Sequence, residues 1–130
     1  NNIQPNGWHK DSVYSYQTDS LTDMPDFMKI GFDVRNTVDY KYRNLYLFVE
    51  LEIPGQKVIK DTLDHILMSP DGFWLDEVEG SSIKESTKYY KYAIKNPPQG
   101  VYTIKVQQGM RDSILKEIVS VGARIEKLEK

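Results

Sequence analysis

The segment from Asn44 to Ile53 alternates almost without a break between apolar residues and a more mixed set. Successive side chains of a β-strand point to opposite faces, so this alternation predicts a strand with one continuous apolar face. We expect Leu45, Leu47, Val49, Leu51 and Ile53 on the core face, and Tyr46, Phe48, Glu50 and Glu52 on the other.

Shorter alternating segments recur along the chain. Turn sequences rich in proline and glycine separate them, for example Pro54-Gly55, Ser69–Gly72 and Asn96–Gly100. Proline presets one backbone angle and glycine tolerates unusual ones, so both favour tight turns. The pattern predicts strands over Val13–Tyr16, Met28–Asn36, Asn44–Ile53, Gln56–Met68, Tyr90–Ile94, Tyr102–Val106 and Val119–Ile125.

We therefore predict an all-β fold, a single domain over residues 1–130. Its expected form is an antiparallel β-sandwich of about seven or eight strands with jelly-roll or immunoglobulin-like connections and little helix. One helical turn is expected within Met110–Ile118, where Ile114, Leu115 and Ile118 have helical spacing. Thr18–Asp26 is expected to be a loop, and the charged tail Glu126–Lys130 is expected to fray.

Length and charge exclude several functional classes. The chain has 130 residues, a formal net charge of −2 and no cysteine. A domain of this length buries about two thirds of its unfolded surface, so it needs neither a metal nor a disulfide to fold. Its 17 basic residues are dispersed, which argues against nucleic-acid binding. No apolar run approaches the ~20 residues that cross a bilayer, and the start at Asn1 leads us to expect a trimmed chain.

The titratable residues form no recognisable catalytic motif. His65 follows Asp64 within a strand pattern, so we expect a solvent-facing or hydrogen-bonded structural histidine. Glu50 and Glu52 share a strand face, which usually indicates solvated carboxylates. The serines lack the nucleophile elbow of hydrolases, so we expect no enzyme. A small hydrolase would require a pocket that holds His65 or Glu50 beside a second titratable group within hydrogen-bond reach.

Two groups of acidic residues could offer oxygen ligands to calcium. One is Asp19, Asp23 and Asp26, and the other is Asp71 with Asp76 and Glu77. Their spacing does not match the twelve-residue calcium loop, so we expect hydrated carboxylates. We predict neither a metal nor a cofactor.

Aromatic residues are numerous, with nine Tyr, four Phe and two Trp. Rings pack across neighbouring strands, so Phe32, Tyr46, Phe48 and Tyr102 are expected in the core or on half-buried faces. Trp8, Trp74, Tyr40 and Tyr42 fall in turn-like segments, where a ring either caps an edge of the sandwich or contacts a partner. We predict these four as partner-binding residues. His9, next to Trp8, could join the same patch.

Seven segments follow one another in a familiar order: Pro5–Asp11, Asn36–Leu47, Lys60–Leu63, Pro70–Leu75, Gly100–Tyr102, Gln107–Arg111 and Val121–Lys127. Together they resemble the GldH family of gliding-motility lipoproteins of Bacteroidetes, over nearly the whole chain. The resemblance implies an envelope lipoprotein whose lipidated cysteine lies upstream of this chain. Stable attachment to a membrane requires two or more acyl chains. The resemblance implies no catalysis, no cofactor and no established site residues.

The leading hypothesis is a non-enzymatic, membrane-tethered component of the gliding machinery that binds other envelope proteins. We expect it at the cell envelope, periplasmic or associated with the outer membrane. The main alternative is a carbohydrate-binding module, because sugar rings stack on exposed aromatic side chains. A small-molecule ligand is not expected.

Overall fold

The computed structural model describes residues 1–75 and 81–128. This part of the chain contains ten strands and no helix, which confirms the all-β prediction. Three of the strands have only two residues, too short for alternation to reveal them, and seven are longer. The strands are β1 (Trp8–His9), β2 (Tyr14–Gln17), β3 (Phe27–Thr37), β4 (Asn44–Glu52), β5 (Ile59–Ile66), β6 (Ile83–Tyr89), β7 (Ile94–Lys95), β8 (Thr103–Gln108), β9 (Ile114–Leu115) and β10 (Ile118–Leu128).

The strands form three antiparallel sheets. The first has the order β2-β8-β4-β5, the second has the order β10-β3-β6 with β7 also paired to β3, and β1 pairs with β9. The predicted turn at Pro54-Gly55 joins β4 and β5 as a hairpin, in which the two strands pair from Asn44 opposite Ile66 to Leu51 opposite Ile59. Gly55 adopts a φ of 74°, a left-handed conformation that glycine reaches without steric cost.

One buried apolar cluster takes side chains from both larger sheets. β3 contributes Ile30, Phe32 and Val34, and β10 contributes Ile118 and Val121. The first sheet adds the predicted row of β4, in which Leu45, Leu47, Val49 and Leu51 are buried. The core face predicted for this strand is therefore confirmed. The stacking of the sheets as a sandwich with jelly-roll or immunoglobulin-like connections stays a prediction.

Polar contacts tie β5 to β6 and to Tyr90, the residue that follows β6. His65 Nε2 lies 2.8 Å from Ser86 Oγ of β6, and the Tyr90 hydroxyl donates to Asp61 Oδ2 at 3.0 Å. Burial and the bond to Asp61 raise the pKa of Tyr90 to about 12, so its hydroxyl keeps the donated proton at neutral pH.

The helical turn predicted within Met110–Ile118 is wrong. Leu115 instead pairs with Trp8, and Glu117 has a φ of 71°, outside the right-handed helical region. Three apolar residues at helical spacing can also occur in a non-helical segment whose side chains pack into the core. Tertiary pairing decides the local structure here.

Three other predictions need correction. Tyr90–Ile94 is not a continuous strand, because β6 ends at Tyr89 and Tyr92 is exposed. The tail does not fray from Glu126, because β10 pairs with β3 as far as Leu128. Phe32 and Tyr102 are buried as expected, but Tyr46 and Phe48 lie exposed on the outer face of β4. No helix in the described part of the chain has the length and apolar character needed to cross a membrane.

Candidate functional site

Three loops meet where β4 begins and where β5 and β8 end. We call this region the loop end, and it comprises Tyr40–Arg43, Ser69–Leu75 and Gly109–Ser113. The Arg43 carbonyl accepts hydrogen bonds from the amides of Leu67 and Met68 at 2.8 and 3.1 Å. Arg43 Nη1 donates to the Pro70 carbonyl at 3.1 Å. These bonds fix the first two loops against each other.

Tyr40 closes the loop end from inside. Its side chain is buried, and its hydroxyl donates to the Asn44 carbonyl at 2.8 Å. Burial raises the pKa of this hydroxyl well above its ordinary value, which keeps it neutral and able to donate. The Tyr42 ring packs edge-on against it, with ring centres 5.8 Å apart.

Tyr42 connects the first loop to the third. Its hydroxyl donates to Asp112 Oδ1 at 2.6 Å, and Lys41 Nζ lies 2.9 Å from Asp112 Oδ2. The hydrogen bond from Tyr42, followed by that from Lys41, lowers the pKa of Asp112. The Asp112 carboxylate is therefore ionised at neutral pH and holds both side chains in place.

The second loop presents apolar side chains to solvent. Gly72 has a φ of 89°, and its amide donates to the Ser69 carbonyl at 3.0 Å, which forms the predicted turn. Phe73 and Leu75 beyond the turn are 71% and 53% exposed. Trp74 between them is half-buried and packs against the core cluster. The Leu75 amide donates to the Leu67 carbonyl at 2.9 Å, so the loop is anchored beyond the turn as well.

Trp8 lies elsewhere, in the small β1–β9 sheet. Its side chain is 0% exposed, its indole Nε1 donates to the Ser12 carbonyl at 3.0 Å, and the Tyr14 ring lies 5.6 Å away. The neighbouring His9 is exposed, and its Nδ1 accepts a hydrogen bond from the Asp11 amide. Trp8 thus caps the core.

The structure brings together three of the four predicted partner-binding residues, namely Tyr40, Tyr42 and Trp74. The ring of Tyr40 and that of Trp8 are covered by protein, so only Tyr42 and Trp74 offer surface to another molecule. Sequence reasoning missed Phe73 and Leu75. The available signal was a run of apolar residues directly after a Pro-Asp-Gly turn, where no strand alternation buries every second side chain.

His65 occupies a structural position. It is 5% exposed, and burial, reinforced by the charge of Lys88, lowers its pKa to about 4. The imidazole is therefore neutral at pH 7, and its partner is the Ser86 hydroxyl. Asp64 points to the opposite face, where it accepts a hydrogen bond from Asn44 at 2.7 Å. This arrangement matches the predicted hydrogen-bonded structural histidine.

Glu50 and Glu52 belong to a charge network on the outer face of β4, where both side chains are half-buried. Glu50 lies 3.6 Å from Lys60 and 4.0 Å from Lys105, and Lys105 lies 3.3 Å from Glu52. The distances from Glu50 are those of ion pairs and exceed hydrogen-bond length. This agrees with the expected solvated face.

The acidic loop residues form no cation site in the residues that the structure describes. Within residues 1–75 and 81–128, no three His, Cys, Asp or Glu side chains converge as metal ligands would. Asp19, Asp23 and Asp26 lie in the predicted loop before β3, where all three are exposed. Asp76 and Glu77 fall outside the described residues.

Comparison with known proteins supplies the family. The model of the GldH lipoprotein family matches residues 1–125. A gliding motility lipoprotein GldH homolog of Christiangramia forsetii is 39% identical over 127 residues, which cover 92% of this chain and 77% of that protein. The gliding motility lipoprotein GldH of Flavobacterium johnsoniae is 32% identical over 126 residues, with the same coverage of both chains. No solved structure matches significantly. The chain therefore belongs to the GldH family of gliding motility lipoproteins.

Proposed function

We propose that this chain is the non-enzymatic domain of an envelope lipoprotein and that it binds another protein of the motility machinery through the loop end. In this proposal the two larger sheets stack as a sandwich and hold the loops rigidly. The domain is tethered by lipid, in the periplasm or at the outer membrane.

The observation that carries the proposal is the exposure of Phe73 and Leu75 on both sides of the half-buried Trp74. Large apolar side chains gain free energy when they leave water, and aromatic anchors dominate many protein interfaces. Backbone hydrogen bonds on both sides of the turn hold this loop, so little conformational entropy is lost when a partner binds.

The surroundings of these side chains also suit a protein interface. The side chain of Lys41 is exposed beside Asp112, and Arg43 is exposed beside Pro70. An apolar centre with charged residues at its rim is the usual anatomy of a protein interface. The rim charges would set orientation and the rate of association more than affinity.

The environment of His65 supports a non-enzymatic role. A histidine with a pKa of about 4 is a weak base at neutral pH. It is also buried, and its hydrogen bond to Ser86 links two sheets. A general base needs an accessible substrate and a pKa nearer the working pH.

Site-specific photo-crosslinking in cells tests the proposal. A photoreactive phenylalanine analogue replaces Phe73 in the full lipidated protein, and Tyr92 serves as the matched aromatic control because it is 65% exposed in the segment between β6 and β7. We expect position 73, but not position 92, to give a discrete crosslinked product. Equal crosslinking at both positions, or none at position 73, would contradict docking at the loop end.

A functional assay completes the test. In a gliding host that lacks its own family member, Phe73→Ser should reduce surface movement, whereas Tyr92→Ser should restore movement as well as the unaltered protein does. Both variants should accumulate at the same level and remain attached to the membrane. Full movement with Phe73→Ser would show that this side chain has no role in the machinery.

A carbohydrate-binding role is the second candidate, and one observation favours it. Tyr46 and Phe48 are successive outward residues of β4, 41% and 47% exposed. Beside Phe48 lies an open groove of about 690 Å³, with Thr62, Lys105 and Gln107 among its lining residues. Rings stack on sugars and such polar groups bind hydroxyls. Titration calorimetry with envelope glycans, repeated on Phe48→Ala, would detect this activity, and absence of heat with the unaltered protein would exclude it for those glycans.

A further inference from the structure

The first residues of the chain already behave as an added strand on the edge of β10. The Asn1 nitrogen donates to the Val121 carbonyl at 2.6 Å, and the Val121 amide donates back to the Asn1 carbonyl at 3.0 Å. Two residues further on, the Ile3 amide donates to the Val119 carbonyl at 2.9 Å. Asn2 forms an antiparallel bridge with Ser120. The second sheet thus extends outward by one short strand.

The remainder of this edge has backbone amides and carbonyls for which the described residues supply no strand partner. In an antiparallel strand the amide and carbonyl of alternate residues point to the same side. Val119 and Val121 use that side to bond the first residues of the chain. The backbone amides and carbonyls of Ala123, Ile125 and Lys127 therefore point to the same side. Within residues 1–75 and 81–128, β10 pairs through its other side with β3 and has no strand opposite Gly122–Leu128.

The register shows where residues that precede Asn1 would lie along β10. Antiparallel pairing places Asn1 opposite Val121, so a residue joined to the Asn1 nitrogen would lie opposite Gly122, and each earlier residue would lie one position further along β10. About seven earlier residues would reach Leu128. The matched part covers 77% of each relative, so each relative has further residues outside it.

We propose that the edge of β10 from Gly122 to Leu128 is the docking site of the polypeptide that leads into Asn1 in the longer lipoprotein. That segment adds an antiparallel strand in register with Asn1–Ile3. Its backbone satisfies the amides and carbonyls of Ala123, Ile125 and Lys127, as in other cases of strand addition to a sheet edge. The inference is independent of the loop end.

The side chains of β10 also suit a covered edge. Exposed edges promote aggregation unless charged side chains or a covering segment protect them. Here the outward charges are engaged within the sheet, since Arg124 contacts Asp33 at 2.9 Å and Glu126 at 3.4 Å. Ala123 and Ile125 are half-buried and pack against the core cluster. Covering by an added strand would therefore protect an edge on which Arg124 and Glu126 already have partners.

Residue-resolved hydrogen exchange tests this proposal. The chain of 130 residues is compared with the full mature lipoprotein in detergent micelles. We expect the amides of Ala123, Ile125 and Lys127 to exchange about tenfold or more slowly in the longer protein. The amides of Val121 and Ile3, which are bonded in both proteins, should exchange alike and serve as internal controls. Unchanged exchange at all three test positions would overturn the proposal.

A pair of variants separates docking from general stability. Ala123→Pro removes the amide that the added strand would use, a change that a free edge tolerates, and Ala123→Val keeps the amide at similar side-chain volume. In the longer protein, Ala123→Pro should restore fast exchange at Ile125, whereas Ala123→Val should not. If Ala123→Pro does not fold, the difference in hydrogen exchange between the unaltered short chain and the unaltered lipoprotein still tests the proposal. Protection that appears in the shorter chain and grows with concentration would assign the edge to a second copy and refute the proposal.

Discussion

The two larger sheets contribute side chains to one core, but their outer faces differ. On the second sheet the outward polar groups satisfy one another: Arg124 pairs with Asp33, Thr87 donates to Asp33 at 2.6 Å, and Tyr89 donates to Glu126 at 2.6 Å. On the first sheet, Tyr46 and Phe48 stand exposed beside the charge network of Glu50. A face whose polar groups bond one another leaves few of them available to bind a ligand. Exposed apolar surface is solvated poorly by water, so covering it with a partner is favourable.

The exposed rings of the first sheet adjoin the loop end. Tyr46 is the second outward position of β4 after Asn44, and its backbone carbonyl accepts from the Gly109 amide at 2.7 Å. The Tyr46 amide contacts the sulfur of Met110 at 3.2 Å. The exposed rings of the first sheet are thus directly connected to the third loop of the loop end.

The largest expected effect tests the division between the inner and outer faces of β4. Leu47→Ala should lower the free energy of unfolding by about 2–4 kcal/mol, because it removes buried methyl groups and leaves a cavity. Phe48→Ala, one residue away on the outer face, should change it by no more than about 0.5 kcal/mol. Urea unfolding measures both. Equal losses would mean that the outer face is covered by protein.

The next effect concerns the polar contact between the sheets. Burial lowers the pKa of His65 to about 4, below the 6.5 of an unfolded chain, so the unfolded state binds a proton first as pH falls. The contribution to stability is therefore intact above pH 6.5 and is lost as pH falls toward 4. Between pH 7 and pH 5 the loss should be about 2 kcal/mol.

His65→Gln provides the control for that pH dependence. It keeps a hydrogen-bonding side chain opposite Ser86 but cannot titrate, so its stability should fall less than that of the unaltered protein over the same interval. Unfolding in urea at a series of pH values, or titration of the His65 ring by NMR, gives the measurement. An imidazole that titrates near 6.5 in the folded protein would show that water reaches this contact.

A smaller effect should separate the two outer faces by their response to salt. Arg124→Ala breaks ion pairs with Asp33 and Glu126. It should therefore shift the urea midpoint slightly toward lower urea concentration at low ionic strength. The difference from the unaltered protein should shrink in about 1 M salt, because salt screens exposed charges. Val13→Ala, an uncharged change at an exposed residue before β2, is the control and should show no salt dependence.

The smallest effect on stability is expected where the effect on function should be largest. Phe73→Ser should leave the free energy of unfolding within about 0.5 kcal/mol of the unaltered value, because the ring is exposed. Thermal and urea unfolding check this directly. A large loss of stability would mean that Phe73 supports the loop, and the movement assay would then need Leu75→Ser as its reporter.

Alternation proved sufficient to predict the central strands. β4 repeats apolar residues at every second position over its whole length, and the structure buries them. The wrong predictions concern segments whose apolar residues fit more than one kind of local structure. Leu115 pairs with Trp8, which is distant in sequence, and no local pattern reveals such a pairing. Tyr90 and Tyr92 alternate like strand residues, yet the chain leaves the sheet edge between β6 and β7.

The candidate site was predicted only in part for a related reason. A ring in a turn either fills a gap in the core or faces solvent, and composition does not distinguish the two. Trp8 and Tyr40 fill gaps because each finds a backbone carbonyl for its polar atom, those of Ser12 and Asn44. Phe73 has no polar atom and follows the turn at Gly72, where it faces solvent.

The pairing of Asn1–Ile3 with β10 determines how the domain would bear load. The chain before Asn1 would leave toward Leu128, whereas Ile118 at the other end of β10 lies opposite Asn36, next to the connection that holds Tyr40–Arg43. A pull between a lipid tether and a protein held at the loop end would thus act along the strands. Under the two proposals above, hydrogen bonds that lie across the strand axis would be sheared together instead of being peeled apart singly, so the pairing would resist such a pull.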